Sequence, residues 1–172
     1  MALERTKNIV NRKLNNLGLN LSYRVCLLHD GESWSCDSCK KKHKHIVHLD
    51  SKDARSRTLA MQNLQHLLLH ETGHIFLCAA VREVKDPCLK KLFGDINKEY
   101  TRDMRLKHRS SDFISTYAQV HPEDNFCEVF AVYVNFCGDM QKIRKFLKQK
   151  KKSDKVLQQF IWMDKFIKTL RK

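Results

Sequence analysis

Along residues 3–17 the apolar side chains Leu3, Val10, Leu14 and Leu17 fall at helical spacing, and Gly18 follows where a left-handed cap would end the helix. Two short runs, residues 21–28 (LSYRVCLL) and 45–49 (HIVHL), are dense in apolar residues and read as strands. The polar stretch between them, HDGESWSCDSCKKKHK, reads as a long hairpin-like loop. The least interrupted helical pattern runs over residues 57–81. Its Leu64, Leu67, Leu68, Leu69, Ile75 and Leu77 leave it apolar nearly all round, which predicts a central position in the fold.

A further helix is expected over residues 89–107, after Pro87, with a polar break at Arg109, Ser110 and Ser111. Residues 112–121 read as irregular or extended. Pro122 suits the first position of a helix whose apolar stripe is Phe126, Val129, Phe130, Tyr133 and Phe136, ending near Gly138. Two basic amphipathic helices close the chain, the second carrying Val156, Phe160, Met163, Ile167 and Leu170 at steps of four and three. No internal repeat or low-complexity linker divides it. The expectation is one α+β domain over residues 1–172, with a small sheet packed on the central helix and a helical C-terminal half.

Composition sharpens this picture in three ways. With 172 residues, 42% of them hydrophobic, the chain can bury a sizeable core and is not a disordered basic tail. It has no apolar run of membrane-spanning length and no signal-like N-terminal segment, so a cytoplasmic location with no membrane association is the default expectation. Its seven cysteines are odd in number and scattered, which argues for reduced thiols rather than a disulfide framework.

The charge is lopsided, with 33 Lys+Arg against 19 Asp+Glu and a formal net charge of +14. The basic residues cluster in 40–44, 142–155 and 165–172, and the last two clusters are interleaved with helical apolar stripes. Their lysines therefore read as the solvated face of amphipathic helices. Such a charge implies acidic partners or substrates and weak, non-specific association with nucleic acid.

One motif carries chemistry. Residues 70–74 read His70, Glu71, Thr72, Gly73, His74, the HExxH pattern, inside the central apolar helix. Histidines four apart lie one turn apart on one face, so His70 and His74 can reach one Zn²⁺ while Glu71 points at the metal's open position. A zinc-activated water then has Glu71 as general base, and the same carboxyl can deliver the proton to a leaving amine. This composition yields the pattern by chance only roughly 0.02 times. Two imidazoles and a carboxylate would also be costly to bury without a partner such as a metal. Gly73, unfavourable in a helix interior, suggests close packing at that point.

Zinc needs a third protein ligand. No histidine lies within twenty residues after His74, Glu83 is too near on the same helix, and Glu99 matches a known spacing only loosely. Glu123, Asp124 and Glu128 remain. Glu128 lies one helical turn after Asp124 on the same face, where it could instead accept a hydrogen bond from a ligating histidine and fix its tautomer.

The segment 113–128, FISTYAQVHPEDNFCE, resembles the signature of a zinc-binding metallopeptidase family, VSaYAxxHPwEDfAE. Leu92, Phe93, Gly94 and Asp95 with Tyr100 resemble that family's FGD…DY segment, and Tyr23, Arg24 and residues 46–57 resemble the stretch before its HExGH helix. The resemblance covers roughly residues 20–140. It implies a zincin-like fold, a protein or peptide substrate, Asp124 at the position of the ligand Glu, and Tyr117 as the phenol that supports the oxyanion. Asp124 is a departure, one methylene shorter than the family residue, and a one-residue shift would put Glu123 there instead. A more distant similarity is to the catalytic domain of anthrax lethal factor.

Cys36 and Cys39 form a CxxC with His43, His45 and His48 nearby. Two cysteines are half a zinc knuckle, and a loop with incidental thiols is the simpler reading. Two functions follow from the whole. The first is a zinc-dependent peptidase with metal ligands His70, His74 and Asp124 and catalytic residues Glu71 and Tyr117. The second is a basic nucleic-acid-associated or scaffolding protein with a structural zinc, against which stands Glu71, an acid that a purely structural site does not need.

Overall fold

The computed structural model describes residues 2–28, 34–36, 45–50, 61–82, 84–99 and 111–171. Helix α1 (Ala2–Asn16) buries Val10 and Leu14 and closes with a Leu19 N–H to Leu14 C=O bond of 3.0 Å. Gly18 takes φ +71° there, the left-handed cap expected of it.

Strands β1 (Tyr23–Leu28), β2 (Trp34–Cys36) and β3 (His45–Asp50) form a sheet in the order β1-β3-β2. The hairpin expectation is corrected here. β1 pairs with β3 in parallel, Val25 opposite Val47, and β2 pairs antiparallel with β3 on its other side, Ser35 opposite Val47. The segment read as one loop contains a strand of its own and reverses the chain twice, which lets its two flanking strands run the same way.

Helix α2 (Met61–Phe76) is central, as its all-round apolar pattern predicts: Leu64, Leu68, Leu69, Ile75 and Phe76 are buried. A π-helical turn, Leu77–Val81, continues it. The first residues of the expected helix, 57–60, lie outside the described residues. Helix α3 (Pro87–Phe93) is shorter than the 89–107 pattern. It stops at Gly94, which adopts φ +98° while Asp95 folds its side chain onto the Asn97 N–H at 3.1 Å. Residues 100–107 of that expectation lie outside the described residues.

Residues 111–121 are irregular apart from a 3-10 turn at Tyr117–Gln119, and helix α4 (Pro122–Asn135) begins with Pro122 at its first position, both as expected. His121 caps α4: its Nδ1 accepts from the Glu123 N–H at 3.2 Å, which leaves Nε2–H to donate to Lys98 C=O at 3.1 Å. Asn125 donates to Phe93 C=O at 3.3 Å, and Gln159 donates to Leu92 C=O at 2.8 Å. The His121 and Asn125 bonds tie the start of α4 to the end of α3 and the turn after it. Gly94 sits against Pro122, where a Cβ would meet its ring at 3.1 Å.

Helices α5 (Met140–Gln149) and α6 (Asp154–Thr169) close the chain. Ile143, Leu147, Val156, Phe160, Met163 and Ile167 are buried, whereas Leu170 lies past the end of α6 and is exposed. Among the described residues no helix is long and apolar enough to cross a membrane. Cys26, Cys88, Cys127 and Cys137 are free thiols, but Cys78 is disulfide-bonded, which the scattered spacing did not suggest.

Candidate metal centre

Helices α2 and α4 pack more extensively on each other than any other pair of described elements, and Gly73 is the reason they can. A Cβ at Gly73 would lie 3.1 Å from Cys127 Cα and 3.2 Å from Phe130 Cδ1. Any larger residue would push α4 away. The close packing expected from a glycine in mid-helix is therefore present, and it brings the acidic first turn of α4 over the imidazoles of α2.

His70, Glu71, Asp124 and Glu128 are all buried, and His74 is half-buried beside them. His70 Nδ1 is 2.9 Å from Glu128 Oε1. A carboxylate only accepts, so Nδ1 carries the proton, and in a neutral ring the lone pair of Nε2 faces the other way. On that side stands Asp124. Its Oδ1 is 3.6 Å from His70 Nε2 and 3.5 Å from His74 Nε2. Those separations are longer than the hydrogen bonds such groups make when they touch. They suit donors sharing an ion: two ligand atoms about 2.0–2.2 Å from a common tetrahedral centre lie about 3.3–3.6 Å apart.

Glu123 faces the opposite nitrogen of His74, with Oε2 3.6 Å from Nδ1, and is itself gripped by Arg82 Nη2 at 2.5 Å. Of the three acids left open by sequence, Asp124 thus faces both Nε2 atoms, while Glu123 and Glu128 face the Nδ1 atoms. Glu128 also bonds His66 Nε2 at 2.9 Å.

The electrostatics follow from this crowding. Burial pushes the Asp124 carboxyl up, but the two imidazoles outweigh it and hold it at about 2. Glu128 is likewise held down against its burial by His66 and His70. Glu71 behaves oppositely. Burial raises its pKa, and the nearby histidines only partly offset the rise. A buried carboxyl with a raised pKa is what proton transfer near neutrality requires.

Tyr117, on the 3-10 turn, presents its ring edge-on to His70 with centroids 5.4 Å apart, and it is 41% exposed. It therefore stands at the solvent side of the cluster. Two imidazoles, the one of His70 bonded at Nδ1 to Glu128, with the Cys127 thiol beside them and the Asp124 carboxylate 3.5–3.6 Å from their Nε2 atoms, offer the nitrogen, sulfur and oxygen donors that zinc takes. The sequence profile of a family described as "Putative zinc-binding metallo-peptidase" matches residues 42–171.

The chain belongs to that family.

Zinc is the cofactor this membership brings, and His70, His74 and Cys127 form a candidate metal-binding group in the structure of this metallo-peptidase family member. No curated protein and no solved structure gives a significant match to the chain. Three neighbours of the site escaped sequence reasoning. His66 and Cys127 had a signal, since His66 lies one turn before His70 and Cys127 three residues after Asp124 on the same face. Arg82 had none, because only the fold brings it to Glu123. Of the CxxC, Cys39 lies outside the described residues, as does His43.

Proposed function

We propose that this chain is a zinc-dependent peptidase of the HExxH type with a zincin-like fold, in which His70, His74 and Asp124 hold the metal. The observation that carries the reading is Asp124 Oδ1, set at ligand-to-ligand distance from both Nε2 atoms. Zinc, when bound, supplies a Lewis acid that polarises the attacking water and the scissile carbonyl.

Everything else falls to the protein. Glu71, adjacent to His70 and kept basic enough by burial, accepts the proton of the attacking water and returns it to the leaving amine. Glu128 and Glu123 fix the orientation of the two imidazoles from behind. Tyr117, at the exposed side, donates its hydroxyl to the oxygen of the tetrahedral carbon as negative charge gathers there. Substrates are proteins or peptides, with acidic ones favoured by the net charge of +14, and nucleic acid associates only weakly and non-specifically.

The test is Glu71→Gln, assayed on a peptide mixture read by mass spectrometry. The amide cannot take a proton, so the variant keeps its zinc and loses about 10²–10⁴-fold in turnover. Unchanged turnover would remove Glu71 from the mechanism.

A further inference from the structure

The thiol of Cys127 has no part in the mechanism above, yet it lies at the centre of the cluster. Its Sγ, one ring nitrogen of His70 and one of His74 all fall within 4.8 Å of one another. The residue is fully buried on α4, three positions after Asp124, on the face that Gly73 admits against α2. The thiol thus lies beside the His74 ring.

We propose that Cys127 is a fourth protein donor to the metal, completing a set of His70, His74, Asp124 and Cys127 and closing the coordination position that hydrolysis needs. The proposal rests on the reading of His70 and His74 as zinc ligands. Its chemistry is simple to balance: the S–H bond breaks, the proton leaves to solvent, and the sulfur forms its bond to the metal. A thiol that coordinates a divalent ion gives up its proton outright.

Two features of this chain make the sulfur useful. Asp124 carries a short side chain, and a soft thiolate with a longer bond to zinc, about 2.3 Å, adds a donor from the same helix face. Four protein donors also define a closed site, whereas catalytic zinc keeps one position for water. The resting protein is therefore held shut by its own thiolate, and turnover requires the sulfur to leave the metal. A buried cysteine serving only as a small apolar filler would do none of this.

Cobalt(II) loaded into the protein separates the two. Wild type should show thiolate-to-cobalt charge-transfer absorption in the near ultraviolet and should not respond to azide. Cys127→Ala and Cys127→Ser should each still bind one cobalt, lose that absorption, and shift their visible bands when azide is added. A wild-type cobalt protein without the absorption, or the same absorption in both variants, overturns the proposal while leaving the histidine site standing. Cobalt binding that is unaltered in His70→Ala would instead overturn the site reading, and this proposal with it.

Discussion

Two helix pairs built from the same chain use polar residues in opposite ways. Along α5 and α6, Ile143, Leu147, Val156, Phe160, Met163 and Ile167 are buried, while lysines such as Lys142, Lys148 and Lys165 stay on the surface. Between α2 and α4 the chain buries His70, Glu71, Thr72, Asp124, Asn125 and Glu128 among its phenylalanines. Apart from Gln159, which is buried and bonds Leu92 C=O, the first pair needs only the hydrophobic effect to explain it. The second carries ionisable groups whose desolvation works against folding and whose arrangement makes sense when a cation joins them. Buried charge in one place and its avoidance in the other mark where a ligand belongs.

The widest separation between the pairs should come from removing a key side chain in each. His70→Ala or His74→Ala should abolish stoichiometric zinc, and Asp124→Ala should weaken it greatly, as read by metal analysis after dialysis. Phe160→Ala, in the apolar seam, should cost about 3–5 kcal/mol of stability and leave zinc stoichiometry at one. Zinc lost in Phe160→Ala with the fold intact, or retained in His70→Ala, would erase the distinction.

A smaller effect divides the polar pair internally. Glu128→Gln and Glu123→Gln alter groups behind the imidazoles, so each should weaken zinc affinity by about 10–100-fold without changing stoichiometry. Glu128, at 2.9 Å from its ring nitrogen, should matter more than Glu123 at 3.6 Å. Loss of the metal in Glu123→Gln with retention in Asp124→Ala would move the third ligand by one residue.

Much of this architecture was legible in the chain. Periodicity placed α1, the centre of α2, and α4 through α6, because each buries a stripe that its sequence spells out. The HExxH spacing marked His70, Glu71 and His74 without any tertiary information. The parallel pairing of β1 with β3 was not legible, since a three-residue strand hidden in a polar run gives almost no pattern. Nor was the early end of α3, where the turn at Gly94 overrides a helical pattern that continues beyond it. Which of Glu123, Asp124 and Glu128 faces the Nε2 atoms was not legible either, because it depends on how α4 rotates over α2, which Gly73 and the capping bonds at His121 set.

The smallest effect is one of pH on the metal-free protein. Burial pushes the pKa of His70 down, but the carboxylates of Asp124 and Glu128 beside its ring raise it above the ordinary value of 6.5. For His74, burial is likewise outweighed by Cys127, Asp124 and Glu123. A raised folded-state pKa gives stability that is full below 6.5 and is lost as pH rises through the folded value. The metal-free Tm should therefore decline above pH 6.5, and the decline should vanish with zinc, which takes the place of the protons. A metal-free Tm that climbs over this range would contradict the arrangement.

The most direct test of the central claim, that the buried polar cluster between α2 and α4 is a zinc site, is anomalous diffraction at the zinc edge from crystals of the loaded protein. One peak should lie about 2.0–2.2 Å from the Nε2 atoms of His70 and His74 and from an Asp124 carboxylate oxygen. A peak elsewhere, or one bound by the two histidines with no protein carboxylate in reach, would contradict it.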